Sequence, residues 1–573
     1  MESPRGADTQ GREMQICYIW TERYKNLINF GLNLSSDYEF NFDGYQITAT
    51  TKPNITSKLY GDKISNISAL VGINGSGKTT ALELICRCLK DPTSLSNHWF
   101  VIYESDGELF LSTNLAYELS IPEFINIDPL HSETDKCRVI FYSNVFDGNL
   151  LALPETVHDL SVNNKNDAKL NFVRRGKEFE SDIEKQIRFI KSDAFQDLKL
   201  TPPVGIEFKI SAFPGIKLRE RVKQTKTNSY GKQSGYQIED ILLKFIDIIQ
   251  NERSNHRADK QAFVINFLMK HLFIEDFMAH LDKESPFFWK VIDSLREETW
   301  EDSDSILKII ARHADDLQPD NPYSNNYSLT STIHFLLNIS ALISYADIEM
   351  DVSAKAAKTV FFMPLNGQNS NTLLIMTGLF NRCTGCYTRW VGQSSGEKAY
   401  LDLYSAIWAS IDQEIEQKID GTLLCIDEPD LYLHPQWQVQ FLGKLIETLP
   451  YLTENKIQII LTTHSPLLLS DIPKQCISIM GHNTENTPQV PNTFGANLYD
   501  LYAKVFGIGY QSMGSIARTY ISKILTLIDA DEVSEQDISI LHQALDIIGD
   551  EIILYHIKEK LKKMHDIFQD GEA

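Results

Sequence analysis

The run ALVGINGSGKTTALELICRCL, residues 69–89, constrains this chain more than any other stretch. Within it Gly72, Gly75, Gly77, Lys78 and Thr79 complete the pattern G-x-x-x-x-G-K-T. An apolar, strand-like segment at 67–71 leads in, and a helix-like segment with Leu82, Ile85 and Leu89 on one face leads out. Strand, glycine turn and helix together are the context in which this pattern cradles phosphate. The glycines let backbone N–H groups turn inward, and the helix N-terminus adds partial positive charge at the same point. Gly72, Asn74, Gly75, Ser76, Gly77, Lys78, Thr79 and Thr80 are therefore the expected nucleotide-binding residues. Lys78 would reach the β- and γ-phosphates, and the Thr79 hydroxyl would sit on Mg²⁺. The expected ligands are ATP and Mg²⁺.

A second constellation lies more than three hundred residues downstream. Gln393-Ser394-Ser395-Gly396-Glu397-Lys398 precedes a helical pattern at 399–411, a small polar turn of the kind that holds anions. The segment 421–428, GTLLCIDE, is an apolar strand ending in two carboxylates. Asp427 is placed to hold the metal through water and Glu428 to polarise an attacking water. Adjacent carboxylates at the end of a buried strand are costly unless a metal or polar partners are near. A further buried strand, 457–463, delivers His464-Ser465-Pro466.

Taken in order, these motifs resemble those of ABC-type ATPases, and the S-S-G-E-K turn is similar to the signature of their SMC/Rad50/RecF-like branch. Gln393 stands where that signature has leucine and Ser395 where it has glycine. The resemblance implies an α/β fold: an ABC-type P-loop ATPase head with a central mixed sheet, flanking helices and an antiparallel β subdomain. It also implies a head-to-tail homodimer in which Ser394, Gly396 and Glu397 of one subunit act on ATP held by Lys78 of the other. Asp430 and His434 match the segment that crosses such an interface. Ser143-Asn144, after the strand-like run 139–142, occupy the place of the glutamine that senses Mg²⁺ and γ-phosphate, and His464 that of the switch histidine. Glu428 and His464 are the expected catalytic pair, with Thr79 and Asp427 on the metal.

YIWTERYKNL, FYSNVFD, WVGQSSGEKA, DEPDLYLHPQWQ, TTHSPLLLSDIP and IIGDEIILYHIKEKL add a narrower resemblance, to the Septu-type PtuA family of bacterial anti-phage ATPases and its retron-associated members. That family implies an HNH-type nuclease partner and, in retrons, a reverse transcriptase with its msDNA. The alternatives are an SMC/RecF-like DNA-repair ATPase, the ATPase subunit of a transporter, and an ATPase-nuclease of the overcoming-lysogenisation-defect (OLD) type. Asp529-Ala530-Asp531 fits the acidic pattern of the last by letter alone, between helical patterns. No H-N-H metal constellation is visible.

With 573 residues the chain divides into a leader or tag at 1–13, ATPase lobe I at 14–150, a helical insertion at 151–355, lobe II at 356–493 and a C-terminal helical region at 494–573. Helices are expected at 237–250, 261–281 and 333–343. A hairpin is expected around Asp106-Gly107, since Asp-Gly favours a tight two-residue turn. The net charge of −23 argues against broad adhesion to DNA. The basic stretch 217–226 reads as a solvated edge before a nucleic-acid contact, and Tyr24-Lys25 as surface before a contact to a nucleotide base. Eight scattered cysteines suit a reducing cytoplasm, and the lone Cys383-x-x-Cys386 lacks the second pair of a structural zinc site. No apolar run is long enough to span a membrane.

Overall fold

The computed structural model describes residues 14–52, 59–115, 119–128, 136–164, 182–198, 200–211, 219–220, 222, 232–251, 286–313, 333, 351–355, 358–367, 370–382, 386–412, 419–431, 433–453, 455–481, 491–506, 513–530 and 533–570. The first strands are β1 (Met14–Tyr24), β2 (Leu27–Asn33), β3 (Tyr38–Phe42) and β4 (Ile47–Thr51). Next come β5 (Ile64–Val71), α1 (Lys78–Lys90), β6 (Trp99–Ser105), β7 (Glu108–Thr113), β8 (Ile125–Ile127), β9 (Cys137–Ser143) and β10 (His158–Asp159). The β6–β7 hairpin turns on Asp106 and Gly107 with φ of 52° and 83°, the left-handed pair that an Asp-Gly turn provides. One sheet has the order β2-β1-β6-β7-β8. Its apolar face is aromatic: Trp20 stacks on Phe100 at 5.5 Å and meets Phe42 edge-on at 4.9 Å.

The segment expected to be a helical insertion is mixed. It holds α2 (Asp182–Ile190), α3 (Asp193–Asp197), β11 (Gly205–Ser211), α4 (Lys232–Asn251), α5 (Pro286–Glu297), α6 (Ser303–Ala311) and β12 (Asp351–Lys355). After it come β13 (Lys358–Pro364), α7 (Ser370–Arg382) and β14 (Tyr387–Val391). β11 lies inside a four-stranded sheet of order β12-β13-β11-β14, so the insertion is tied to lobe II by backbone pairing. The cause is a period of two: Ile206, Phe208 and Ile210 are fully buried, while Glu207 faces Arg389 across the strands at 2.6 Å. The helix expected at 237–250 is present as α4, burying Ile238, Leu242, Phe245 and Ile246. The helix expected at 261–281 lies outside the described residues, as does all but residue 333 of that at 333–343. Of the basic stretch, Arg219 is described and is ion-paired with Asp247.

Last come α8 (Ser395–Asp412), β15 (Gly421–Asp427), α9 (Pro435–Leu452), β16 (Ile457–Thr462), α10 (Pro466–Leu469), β17 (Ile477–Ile479) and α11 (Leu498–Lys504). Three more helices, α12 (Ser515–Asp529), α13 (Glu535–Ile547) and α14 (Glu551–Asp570), close an apolar cluster of their own around Ile524, Leu541, Ala544, Ile548 and Ile557. Asp529 ends α12 and Asp531 is outside the described residues.

The central sheet has the order β10-β9-β15-β16-β5-β17, and every pairing among these strands is parallel. Antiparallel pairing is confined to the other sheets. Parallel strands are covered on both faces, and β15 and β16 are accordingly buried along their whole length. Because all strands run the same way, the residues that follow β5, β9, β15 and β16 collect at one edge, where such sheets bind ligands. No helix among the described residues is long and apolar enough to cross a membrane.

Candidate nucleotide site

At that edge β5 runs into the glycine loop. Gly72, Gly75 and Gly77 have φ of 153°, 79° and 93°, backbone that side-chain-bearing residues rarely adopt. A Cβ on Gly72 would stand 2.7 Å from the Met480 carbonyl, so the site demands glycine twice over. Gly77 caps α1 without a side-chain hydrogen bond, and no acidic residue lies in the first turn. The leading N–H groups of α1 therefore remain available to an anion. Lys78 is 6% exposed, and its ammonium donates to the carbonyls of Gly72 and Ile73, each at 3.2 Å. Burial pulls its pKa down, while the carboxylates of Glu428, Asp427 and Asp430 pull it back up. Asn74 is exposed at the loop tip and Thr80 is half-buried in the first turn of α1.

Thr79 and Asp427 meet here across more than three hundred residues of sequence. The Thr79 hydroxyl lies 3.1 Å from both carboxylate oxygens of Asp427, which is 3% exposed. The strand between theirs supplies Thr462, whose hydroxyl donates to Asp427 Oδ1 at 2.7 Å and accepts the Glu428 N–H at 2.9 Å. Glu428 has φ of 47°, left-handed for a residue with a side chain. Its Oε1 lies 3.5 Å from His464 Nε2. Burial pushes the carboxyls of Asp427 and Glu428 up, Asp427 also through its neighbour's charge, and Lys78 opposes the rise. Burial and then Lys78 push the His464 pKa down, which favours the neutral ring.

A Mg²⁺·phosphate group fits these residues. Magnesium keeps several waters and needs only one or two carboxylates beside substrate phosphates, which Asp427 with Thr79 can supply. The Ser76 hydroxyl inside the loop is buried without a protein partner, where a phosphate oxygen would give it one. When bound, the metal neutralises phosphate charge. Lys78 and the α1 N-terminus would bind the phosphates, Asp427 and Thr79 would hold the metal, and Glu428 and His464 would be the polar groups beside them.

Ser143 ends β9 directly opposite Asp427 in register, so the neighbouring strand brings it to this edge. Its hydroxyl accepts the Val145 N–H, and Asn144 accepts from the Tyr142 hydroxyl at 2.7 Å. The signature residues are held differently. Ser394 and Glu397 cap α8 reciprocally: Glu397 Oε2 accepts from the Ser394 N–H at 2.9 Å and its hydroxyl at 2.7 Å, and Ser394 accepts the Glu397 N–H. Glu397 thus has an intramolecular task at its signature position. Gly396 is buried under Trp437, while Ser394 is exposed at the helix start. Among the described contacts, this turn joins α9 and not the phosphate loop of its own chain. Tyr24-Lys25 sit nearer the loop: Lys25 pairs with buried Glu83 of α1, and Asn26 lies against Gly77. Cys386 Sγ lies 3.7 Å from the Thr388 hydroxyl, and Cys383 is outside the described residues.

Sequence reading missed Thr462, Thr463 and Gln438. Thr463 donates to Asp430 at 2.8 Å, and Gln438 bonds both Asp430 and Ser465. The signal for the two threonines was a polar pair closing a mostly apolar strand, and Gln438, on a helix, carried none.

A family model described as "AAA domain, putative AbiEii toxin, Type IV TA system" matches residues 250–470, which include the signature turn, the acidic pair and His464 but not the phosphate loop. Retron Vc95 probable ATPase of Vibrio cholerae is 35% identical over 117 residues, 19% of this chain and 22% of that protein. Septu protein PtuA of Bacillus mycoides is 33% identical over 111 residues, 18% of this chain and 14% of that protein. Retron Ec83 probable ATPase of Escherichia coli is 36% identical over 91 residues, 15% of this chain and 16% of that protein. The matches therefore span at most 22% of the length of these relatives. The solved recombination mediator protein RecF aligns over 79% of this chain and 93% of its own at 13% identity, with a TM-score of 0.22. The matched segment supplies one half of this sheet edge, the glycine loop supplies the other, and a single parallel sheet joins them: over these stretches the chain is similar to the retron and Septu ATPases, and 250–470 matches an AAA ATPase domain.

Proposed function

We propose that this chain is a cytoplasmic ATPase that hydrolyses ATP with Mg²⁺ as a head-to-tail homodimer, and that its closing and opening regulate or recruit an associated nuclease in an anti-phage defence complex. The observation that carries the reading is the gathering of Lys78, Thr79, Asp427, Glu428 and His464 at one sheet edge, with Ser394 exposed at a separate helix start. Half a site on each surface suits two composite sites between two copies. The names of the retron and Septu relatives support the defence context. An HNH-type nuclease is the proposed partner, joined in a retron setting by a reverse transcriptase and its msDNA. ATP favours the closed pair and hydrolysis the open one, a two-state element biased by the γ-phosphate.

Glu428→Gln and Ser394→Arg test this together. Glu428→Gln keeps shape but removes the basic carboxylate, so it is expected to bind ATP, turn over at least about 100-fold more slowly and accumulate dimers in ATP. Ser394→Arg is expected to bind ATP yet stay monomeric. Dimer formation and turnover equal to the parent in both variants would refute the composite site. Mass spectrometry of proteins co-purified from the native host tests the nuclease.

A further inference from the structure

The segment after the acidic pair and the segment around the switch histidine are joined by a closed ring of hydrogen bonds. Thr463 Oγ1 donates to Asp430 Oδ1 at 2.8 Å and accepts the Ser465 N–H at 2.9 Å. The Ser465 hydroxyl donates to Gln438 Oε1 at 2.7 Å. Gln438 Nε2 closes the ring on the Asp430 carbonyl at 3.2 Å and also holds the Leu433 carbonyl at 2.9 Å. Two carbonyl acceptors on one side and a hydroxyl donor on the other fix which end of the amide is nitrogen. Three of the four hydrogen-bonding positions of this side chain are thus in use.

His464 is the residue between Thr463 and Ser465, both buried and both in the ring. Glu428 stands two residues before Asp430, on the same side of the ring. The 3.5 Å approach of Glu428 to His464 is therefore set between two segments that meet through the ring. Every ring member but one belongs to those two segments. The exception is Gln438, in the first turn of α9, a rigid helix that begins at Pro435.

We infer that Gln438 is a positioning residue for hydrolysis: its carboxamide locks the 428–434 segment to the 463–465 segment and so holds His464 against Glu428. It touches neither nucleotide nor metal. Loss of the amide leaves the phosphate loop, Thr79 and Asp427 in place, so nucleotide binding is untouched while the hydrolytic pair loses its spacing. The inference rests on the reading of Glu428 and His464 as that pair.

The test uses the full chain and compares Gln438→Leu, Gln438→Glu, His464→Ala and the double variant Gln438→Leu/His464→Ala. Readouts are turnover, ATP affinity by calorimetry and melting temperature. Gln438→Leu is expected to lower kcat about 10- to 100-fold, as misplacement by about an ångström does. ATP affinity is expected to stay within about threefold. Gln438→Glu keeps length and the acceptor for Ser465 but turns a carboxylate on two carbonyls, so it is expected to fall with Gln438→Leu. In the His464→Ala background, Gln438→Leu should cost nothing further, because the group it positions is gone. Undiminished turnover in either single variant overturns the inference, as does an equal loss with and without His464, or a loss of ATP affinity that parallels the loss of turnover. Turnover that survives Glu428→Gln overturns the underlying reading instead, and the inference with it.

Discussion

Gly396→Ala separates two explanations for the signature glycine. A Cβ built there stands 2.6 Å from both Cδ2 and Cε2 of Trp437 and 2.9 Å from its Nε1. Carbon atoms in contact prefer about 3.5–4.0 Å, so the methyl intrudes by about an ångström. The indole is packed on one side. Tyr400 packs on it with ring centroids 4.9 Å apart, and the Tyr400 hydroxyl donates to the Trp437 carbonyl at 3.3 Å. The start of α8 must then lift from the start of α9, an overpacking that costs about 1–3 kcal/mol. In a domain of 150–250 residues each kcal/mol lowers the melting temperature by about 2–4 °C, so thermal melts of parent and variant resolve the effect. Trp437→Leu in the Gly396→Ala background should relieve the clash, leaving the double variant more stable than the sum of the single changes. If glycine is also needed for backbone approach to a nucleotide held by the second subunit, the double variant recovers stability but not turnover. A Gly396→Ala chain that melts with the parent would refute the steric reasoning.

Lys78→Ala removes a buried ammonium aimed at the phosphates and should weaken ATP binding at least about tenfold, the worth of a hydrogen bond to a charged group; equal affinity by calorimetry would sink the site. The Glu397 cap gives a pH dependence of known sign. The Ser394 N–H, then its hydroxyl, hold the Glu397 carboxyl below its ordinary value, and a depressed folded pKa means stability present above the unfolded value and lost as pH falls through the folded one. The difference in melting temperature between parent and Glu397→Ala should therefore be full at neutral pH and shrink in acid, and a difference that grows in acid would contradict the cap.

The candidate nucleotide-site groups were legible because each rides on a short contiguous pattern. Glycine loop before helix, two carboxylates after an apolar run and a histidine after another all survive as local signals. Strand adjacency was not legible: β5, β9, β15 and β16 follow one another in sequence, yet β16 lies between β5 and β15. That order makes Thr462 a neighbour of Asp427, and nothing in the letters TTHSP announces it. Glu397 carried two signals at once, a signature position and the S-x-x-E of a capping box, and the hydrogen bonds follow the second. β11 was overlooked although GIEFKIS alternates strictly, because its surroundings are helical and its partners come from β13 and β14, well over a hundred residues later.

The left-handed backbone at Glu428 follows from the demand that two adjacent carboxylates serve one edge. In an extended strand successive side chains point to opposite faces, so Asp427 at the end of β15 would send its neighbour away from the loop. A single residue at φ of 47° breaks that alternation, and the Glu428 carboxylate comes to His464 while Asp427 stays on Thr79. Such a conformation costs about 1–3 kcal/mol without glycine and persists only where its surroundings hold it. The holding group is Thr462, which takes the Glu428 N–H on the oxygen whose proton it gives to Asp427. Glycine at 428 would relieve the strain and delete the carboxylate. The strain is therefore the cost of keeping a carboxylate at a position whose backbone favours no side chain.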